Sequence, residues 1–363
     1  MSNPMRDTFL ARVAGLSWRI LALLGACLLA SGPARAQAEQ AQVIEIADYR
    51  SYLAADHPVQ RGMRKFAQLV EAGSEGRLRV HVRTDALPGA PARQLAALRE
   101  GAGGAGGAPQ LMLVASTGLA GEAPAFALLD LPFLVRDEAH ADALLDGRFG
   151  AALLARLAQP DSTAPAGRGG LVGLAWWENG LRQITTAGAP VRSVADLRGL
   201  KLRTVDEPVF VEGARAMGAD PVPLPFGELA AALRAGQVVA QDNFMSQILA
   251  GRLHELQSSL TLTNHSYSAL VLVANAAAWQ ALDPAQRRLV QAAATEAGHQ
   301  QRRAARDQAH QAREQLARAG LAIHALAPGE RERLRAMTAP LRATYFKRHG
   351  EELWRLYQEG GVR

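Results

Sequence analysis

Val194-Ala195-Asp196-Leu197-Arg198-Gly199-Leu200-Lys201-Leu202-Arg203-Thr204-Val205 is the segment on which the reading of this 363-residue chain turns. It reads as a turn feeding a short strand. Alternation sets Leu200, Leu202 and Thr204 on one face and Lys201, Arg203 and Val205 on the other. Arginine at such a place suits anion capture: a guanidinium is planar, stays charged, and grips a carboxylate through two parallel hydrogen bonds. In an alanine- and arginine-rich sequence most arginines are solvated surface groups; its strand context sets Arg203 apart. The wider stretch from Gly180 to Asn243 holds a second arginine, Arg182, beside an apolar run, and closes with Gln241-Asp242-Asn243.

Around this stretch the pattern is one of strands alternating with helices. Upstream, Val43–Ala47 alternates, Pro58–Ala72 has helical spacing through Met63, Phe66, Leu69 and Val70, and Leu78–Val82 alternates again. That is the opening of an α/β domain with a parallel strand pair. His57 falls in the first strand-to-helix loop, a place for ligand contacts and equally for a helix cap. The spacing predicts further helices near Leu95–Leu98, Asp137–Leu145 and Phe149–Leu157, and strands over Gln110–Ala115 and Leu171–Trp176. The paired Trp176 and Trp177 suit either a pocket wall or core filling. Pro160–Gly170 reads as a surface loop.

Downstream, Pro208–Met217 and Phe226–Ala235 read as helices, Pro221–Leu224 and Val238–Gln241 as short strands, and Ser268–Asn275 as an apolar strand. Polar residues at strand ends of an open α/β sheet converge on the crevice where such folds bind ligands. Asp283 and Pro284 open a helix that runs to Ala319, about 50 Å at 1.5 Å per residue and long enough to span two domains. A strand near Leu321–Ala325 and helices over Pro328–Met337 and Pro340–Tyr357 complete the chain.

Arg6, Arg12 and Arg19, the apolar run Ile20–Ala30 and the small-residue pattern Ala34-Arg35-Ala36 have the layout of a secretory signal peptide over residues 1–36, cleaved after Ala36. Leu24-Gly25-Ala26-Cys27 is the alternative, a lipoprotein signal that would lipidate Cys27. Cys27 is the only cysteine, so cleavage after Ala36 leaves no disulfide, and export without disulfides suits a periplasm. Losing residues 1–36 removes four arginines and one aspartate and reduces the formal charge from +6 to +3. That excess is spread along the chain and fits a small anionic ligand better than nucleic acid. No later segment is apolar over about 18 residues, so no membrane span is expected.

Several chemistries are disfavoured. The glycine-rich run from Gly101 to Gly107 lacks the Gly-Lys-Ser/Thr ending of a phosphate loop. A periplasmic hydrolase would need a nucleophile with its base, yet no Gly-x-Ser-x-Gly, Ser-x-x-Lys or His-Glu-x-x-His is present, and His57, His254 and His265 have no evident partners in the sequence. No enzyme activity and no cofactor are expected, and no metal set is assigned, although Asp242 is a single carboxylate that could meet a bridging ion.

Taken together, Leu129-Asp130-Leu131-Pro132-Phe133-Leu134, Trp177-Glu178-Asn179-Gly180-Leu181-Arg182, Val194 to Arg203, Phe226-Gly227-Glu228-Leu229, and Ala232 to Gly236 followed by Gln241-Asp242-Asn243 resemble the solute-binding subunits of TRAP transporters, the DctP-like family. The resemblance runs over nearly the whole mature chain. It implies an α/β, two-lobed periplasmic binding protein fold with hinge strands and a long helix spanning both lobes, residues 37–179 and 269–308 forming lobe I and 180–268 and 309–363 lobe II. It further implies a small organic acid as ligand and the membrane subunits of a TRAP transporter as partners; a sensor kinase is the alternative recipient. By the same resemblance Arg203 clamps the ligand carboxylate, Arg182 is a second cationic contact, Asn243 donates a hydrogen bond, and Phe226 and Trp177 supply pocket wall; Asp242, at a polar strand tip, and His57, in a strand-to-helix loop, are further candidate ligand contacts by position. Ala230 stands where the family usually has tyrosine, and Val239-Ala240-Gln241-Asp242-Asn243-Phe244 departs from the family's Asp-Gly-Gln-Glu-Asn-Pro.

Overall fold

The computed structural model describes residues 41–50, 53–101, 107–158 and 170–360. The expected signal peptide, most of the glycine run and most of the Pro160–Gly170 loop therefore lie outside the described residues. The chain alternates as the hydropathy suggests: β1 (Gln42–Asp48), α1 (Pro58–Gly73), β2 (Leu78–Val82), α2 (Pro91–Glu100), β3 (Leu111–Ala115), α3 (Glu138–Leu145) and α4 (Arg148–Ala158). There follow β4 (Leu171–Thr186), β5 (Lys201–Thr204), α5 (Pro208–Ala216), β6 (Asp220–Pro223), α6 (Phe226–Arg234), β7 (Ala240–Asn243) and α7 (Met245–Ala250). The last part is β8 (Ser259–Asn275), α8 (Ala276–Ala281), α9 (Pro284–Arg318), β9 (Ala322–Ala325), α10 (Glu330–Met337), α11 (Ala339–His349) and α12 (Glu351–Gly360).

All nine strands join one sheet in the order β2-β1-β3-β8-β4-β7-β5-β6, with β9 added to β8. Two strands hold it together. β4 and β8 pair antiparallel from Leu171↔Asn275 to Thr186↔Ser259. The Leu270–Ala274 end of β8 pairs β3, while its Ser259–Leu262 end pairs β9. The far end of β4 pairs β7, which leads to the parallel strands β5 and β6. Each long strand thus serves two sets of helices. On one side, Ile46, Met63, Phe66, Leu113, Trp177 and Val290 share a core; on the other, Ile184, Leu202, Ala214 and Met217 share one, and Leu229, Ile248, Leu260 and Leu316 another. This is the two-lobed α/β architecture with connecting strands.

The long helix α9 forms because Asp283 caps it with a full capping box to Gln286 and Pro284 opens its first turn. Its first half buries Val290, Ala293, Ala294 and Ala297 in the β1–α1 core, and its end buries Leu316 in the α6–α7 core. Midway it is fixed to β4. Gln301 accepts from the Glu178 amide at 2.8 Å and donates to the Glu178 carbonyl at 2.8 Å, and Arg306 donates to the buried Glu178 carboxylate at 2.7 Å and to Asp142 of α3 at 2.8 Å. Gly298 lets helix and strand approach: a Cβ there would meet the Trp176 carbonyl at 2.7 Å.

Three expectations need correcting. Leu171–Trp176 and Ser268–Asn275 are only parts of strands of 16 and 17 residues; the polar residues that interrupt their hydropathy are satisfied by partners such as Tyr267, which donates to Glu178 at 3.0 Å. The final helix breaks at Gly350, whose φ of 107° favours glycine, into α11 and α12. The segment 309–363 was grouped with lobe II, yet α12 buries Leu353 and Leu356 in the core that α3 and α4 share, and its Glu352 and Glu359 face Arg156 and Arg148 of α4. The amphipathic face of α12 finds its apolar partners there.

Candidate functional site

The candidate site lies where β4, β5 and β7 run side by side, with Gln183 opposite Asn243 and Arg203 opposite Gln241. The β4–β8 ladder is irregular between Glu178 and Gly180 and again between Arg182 and Ile184. Gly180, at φ 113°, adopts the left-handed conformation that a side chain would resist. Arg182 sits between these two breaks in register.

Arg182 and Asp242 form a buried pair, 4% and 2% exposed. Nε of Arg182 donates to Oδ2 of Asp242 at 2.5 Å and Nη2 donates to the Asp242 carbonyl at 2.7 Å. The rings of Phe210 and Phe244 each lie 5.0 Å from the guanidinium carbon, a cation–π seat. His265 approaches the same Asp242 oxygen at 3.3 Å through Nε2, and its Nδ1 lies 2.8 Å from the Thr263 hydroxyl. Burial alone would raise the Asp242 carboxyl, but the Arg182 charge and the hydrogen bonds from His265 and Arg182 hold it well below the usual carboxylate range. Sequence reading gave His265 no partner; the fold supplies one from a strand 23 residues away.

Arg203 is in a different position. It is 2% exposed, and its Nε and Nη2 both donate to one neutral acceptor, the Leu224 carbonyl, at 2.9 and 2.5 Å. Among the described residues no carboxylate lies within ion-pairing distance of it. Burial pulls its pKa down to about 10, partly countered by the negative Asp242 and deepened by Arg182. It stays cationic at neutral pH, a buried charge without a counter-charge. The alternation expected for β5 holds only in part: Leu202, Arg203 and Thr204 are all buried because β5 is an interior strand between β6 and β7.

Asn243 accepts from the Phe244 amide at 3.0 Å through Oδ1, and its Nδ2 makes no hydrogen bond among the described residues. Phe226, the first residue of α6, remains 37% exposed. Trp177 resolves to core filling. It is fully buried between α1 and α9, donates to the Ala294 carbonyl at 3.2 Å, and packs against Gly62 and Gly298. His57 caps α1, its Nδ1 accepting from the Val59 amide at 3.2 Å. Burial and then the Arg50 charge push its pKa down to about 4, so it is neutral at physiological pH.

Sequence reading passed over a second polar group at the end of β1. Arg50 grips Asp48 through Nε at 2.8 Å and Nη2 at 3.0 Å, and its Nη1 donates to Oδ1 of Asn179 at 3.0 Å. Tyr49 lies under the Arg50 guanidinium at 4.6 Å. Burial pushes the Tyr49 phenol up; Arg50, Asn179 and Arg182 each pull the other way, which places Tyr49 within the field of Arg182. The signal was available: Asp48, Tyr49 and Arg50 close a strand, as Gln241, Asp242 and Asn243 do.

Behind Asp242 lies a cavity of about 10 Å³ bounded by Asp130, Thr204, Phe210, His265 and Ser266 among others. It has room for about one water and none for a metabolite. Asp130 is fully enclosed there; burial raises its pKa to about 7 against the hydrogen bond from Ser116 at 3.1 Å and the Arg182 charge. The roomier hollows, about 700 Å³ beside Trp279 and Arg287 and about 550 Å³ beside Phe346 and Trp354, lie elsewhere and are lined by none of Arg182, Arg203, Asp242 and Asn243. Among the described residues no three His, Cys, Asp or Glu side chains converge as metal ligands, and no helix is long and apolar enough to cross a membrane.

Residues 49–349 match the profile of the bacterial extracellular solute-binding proteins of family 7, DctP. The chain is similar to the 2,3-diketo-L-gulonate-binding periplasmic protein YiaO of Escherichia coli (strain K12), with 35% identity over 240 residues, 66% of this chain and 69% of that protein. A TRAP periplasmic solute-binding protein from Ochrobactrum anthropi superimposes with a TM-score of 0.77 at 32% identity, covering 88% of this chain and 95% of the other. The sugar acid binding protein of Advenella mimigardefordensis in complex with galactonate gives a TM-score of 0.73 at 29% identity, covering 88% and 99%.

Proposed function

This chain belongs to the bacterial extracellular solute-binding proteins of family 7, and on that premise we propose that it captures a small organic acid by its carboxylate and passes it to the membrane subunits of a TRAP-type transporter. One observation carries the reading: Arg203 is a buried guanidinium whose only hydrogen-bond partner among the described residues is the Leu224 carbonyl. A ligand carboxylate would supply the missing counter-charge and replace one neutral acceptor by two charged ones, each charge-assisted hydrogen bond contributing about 1.5–3 kcal/mol. The names of the relatives support this chemistry, since galactonate is a carboxylate.

In this reading the ligand first meets Arg203 and Asn243 in an open cleft. Turning at the irregular step of β4 around Gly180 then brings the β1 group, Tyr49, Arg50 and Asn179, over it. Phe226 supplies an apolar edge, while Arg182 and Asp242 hold the strand ends in register beneath the ligand. Lobe I comprises residues 37–179 and 269–308, joined by α12, and lobe II residues 180–268 and 309–350. The expected signal peptide would deliver the chain to the periplasm, and no bond is made or broken by it. The test is a thermal-shift screen of purified protein against organic acids and neutral polyols: acids should raise the melting temperature by mass action. Stabilisation by polyols alone would remove the carboxylate reading.

A further inference from the structure

The charge arrangement around Arg203 narrows the ligand further, and the narrowing rests on the carboxylate reading above. Three arginines belong to the two halves of the site, and two are already neutralised. Arg182 is held by Asp242 at 2.5 Å, and Arg50 by both oxygens of Asp48 at 2.8 and 3.0 Å. Arg203 alone of the three has no carboxylate partner among the described residues. We infer that the site takes a hydroxylated monocarboxylic acid and discriminates against the dicarboxylic acid of the same carbon skeleton.

The titratable neighbours argue the same way. His57 is committed as an N-cap acceptor to Val59, and His265 is placed between Asp242 and Thr263. Tyr49, in the field of Arg182, and Glu207, in the field of Asp130, are not cations either. A second ligand carboxylate would therefore be desolvated beside acidic groups and two arginines already engaged by aspartates, with Arg203 taken by the first. Hydroxyls fit better. Asn179 and Asn243 are neutral and polar, and the Asn243 Nδ2 donor is unengaged. Neutral amides of this kind read a polyhydroxylated chain without demanding charge.

Two matched series test it by calorimetry and thermal shift on the mature protein: galactitol, D-galactonate and galactarate, and erythritol, D-erythronate and meso-tartrate, carrying zero, one and two carboxylates. The monoacid of at least one series should bind about 10-fold or more tighter than its diacid. Asp48→Asn, which releases the Arg50 fork, should raise the diacid-to-monoacid affinity ratio by about 10-fold. If in both series the diacid binds wild type as well as its monoacid, the inference is overturned and carboxylate capture is left standing. A ratio unchanged in a folded Asp48→Asn overturns the role given to the Asp48–Arg50 pair; should that variant not fold, the wild-type series decides alone. If neither series shows an acid binding better than its polyol, carboxylate capture itself falls and takes the inference with it.

Discussion

Arg182 and Asp242 are 60 residues apart in sequence, yet one guanidinium holds both the side-chain and main-chain oxygens of one aspartate, at 2.5 and 2.7 Å. The contact therefore does two jobs. It neutralises a buried charge, and it ties the end of β7 to the middle of β4 so that Asn243 and Arg203 keep a fixed spacing on neighbouring strands. Removing the Asp242 charge leaves Arg182 buried against a main-chain carbonyl and two rings, with no counter-charge among the described residues.

Asp242→Asn should accordingly cost about 3–5 kcal/mol of stability near neutral pH. The loss should appear as a lower midpoint in urea. The Asp242 pKa is depressed in the fold, so its stabilisation is present above the unfolded carboxyl pKa of about 4 and is lost as pH falls through the lower folded value. The gap between wild type and variant should therefore close only in strong acid, and a gap of under 1 kcal/mol at pH 7 would mean the pair is worth little.

Arg203→Ala should behave in the opposite sense. It removes a buried cation whose partner among the described residues is one carbonyl, so the unliganded fold should be retained. Affinity for whichever acid the screen identifies should drop at least 100-fold, about 2.7 kcal/mol. Calorimetry returning the wild-type constant would take Arg203 out of the site.

Asp130→Asn probes the carboxyl that burial lifts to about 7. Because the folded pKa exceeds the unfolded one, the stability from this group is complete below about pH 4 and declines as pH rises through 7. An asparagine cannot ionise, so the variant should gain on wild type between pH 4 and 8. Melting temperatures across that range measure the gain, and a constant difference would show that Asp130 does not titrate there.

Gly298→Ala places a Cβ at 2.7 Å from the Trp176 carbonyl and 2.8 Å from the Trp177 ring, on a strand pinned on its other side by β8. Overpacking of this kind costs about 1–3 kcal/mol. Gly218→Ala meets nothing within 4 Å but holds φ at 97°, so any loss there is one of backbone strain and should leave α9 seated. Hydrogen exchange separates the two: faster exchange along α9 is expected only in Gly298→Ala.

What could be read from sequence follows from where each signal lives. That Arg203 and Asn243 lie on neighbouring strands was legible because strand-end polar residues are a local pattern. Trp177 was ambiguous because an indole fills a core and walls a pocket equally well; the glycines at 62 and 298 that seat it are 115 residues behind and 121 ahead. The true length of β4 and β8 was hidden by Glu178, Asn179, Thr263 and Asn264, polar residues that read as loop until their partners are known. Arg50 could have been found by the rule applied to Asp242, had the end of β1 been weighed like the end of β7.

Because the β4–β8 ribbon belongs to both halves, neither half possesses a whole sheet of its own. Excised separately, each would carry torn edges of unpaired backbone and could not stand as an autonomous piece. The two halves should therefore melt in one cooperative event rather than one after the other, and a receptor that flexes for its cargo would still live or die as a single thermodynamic body.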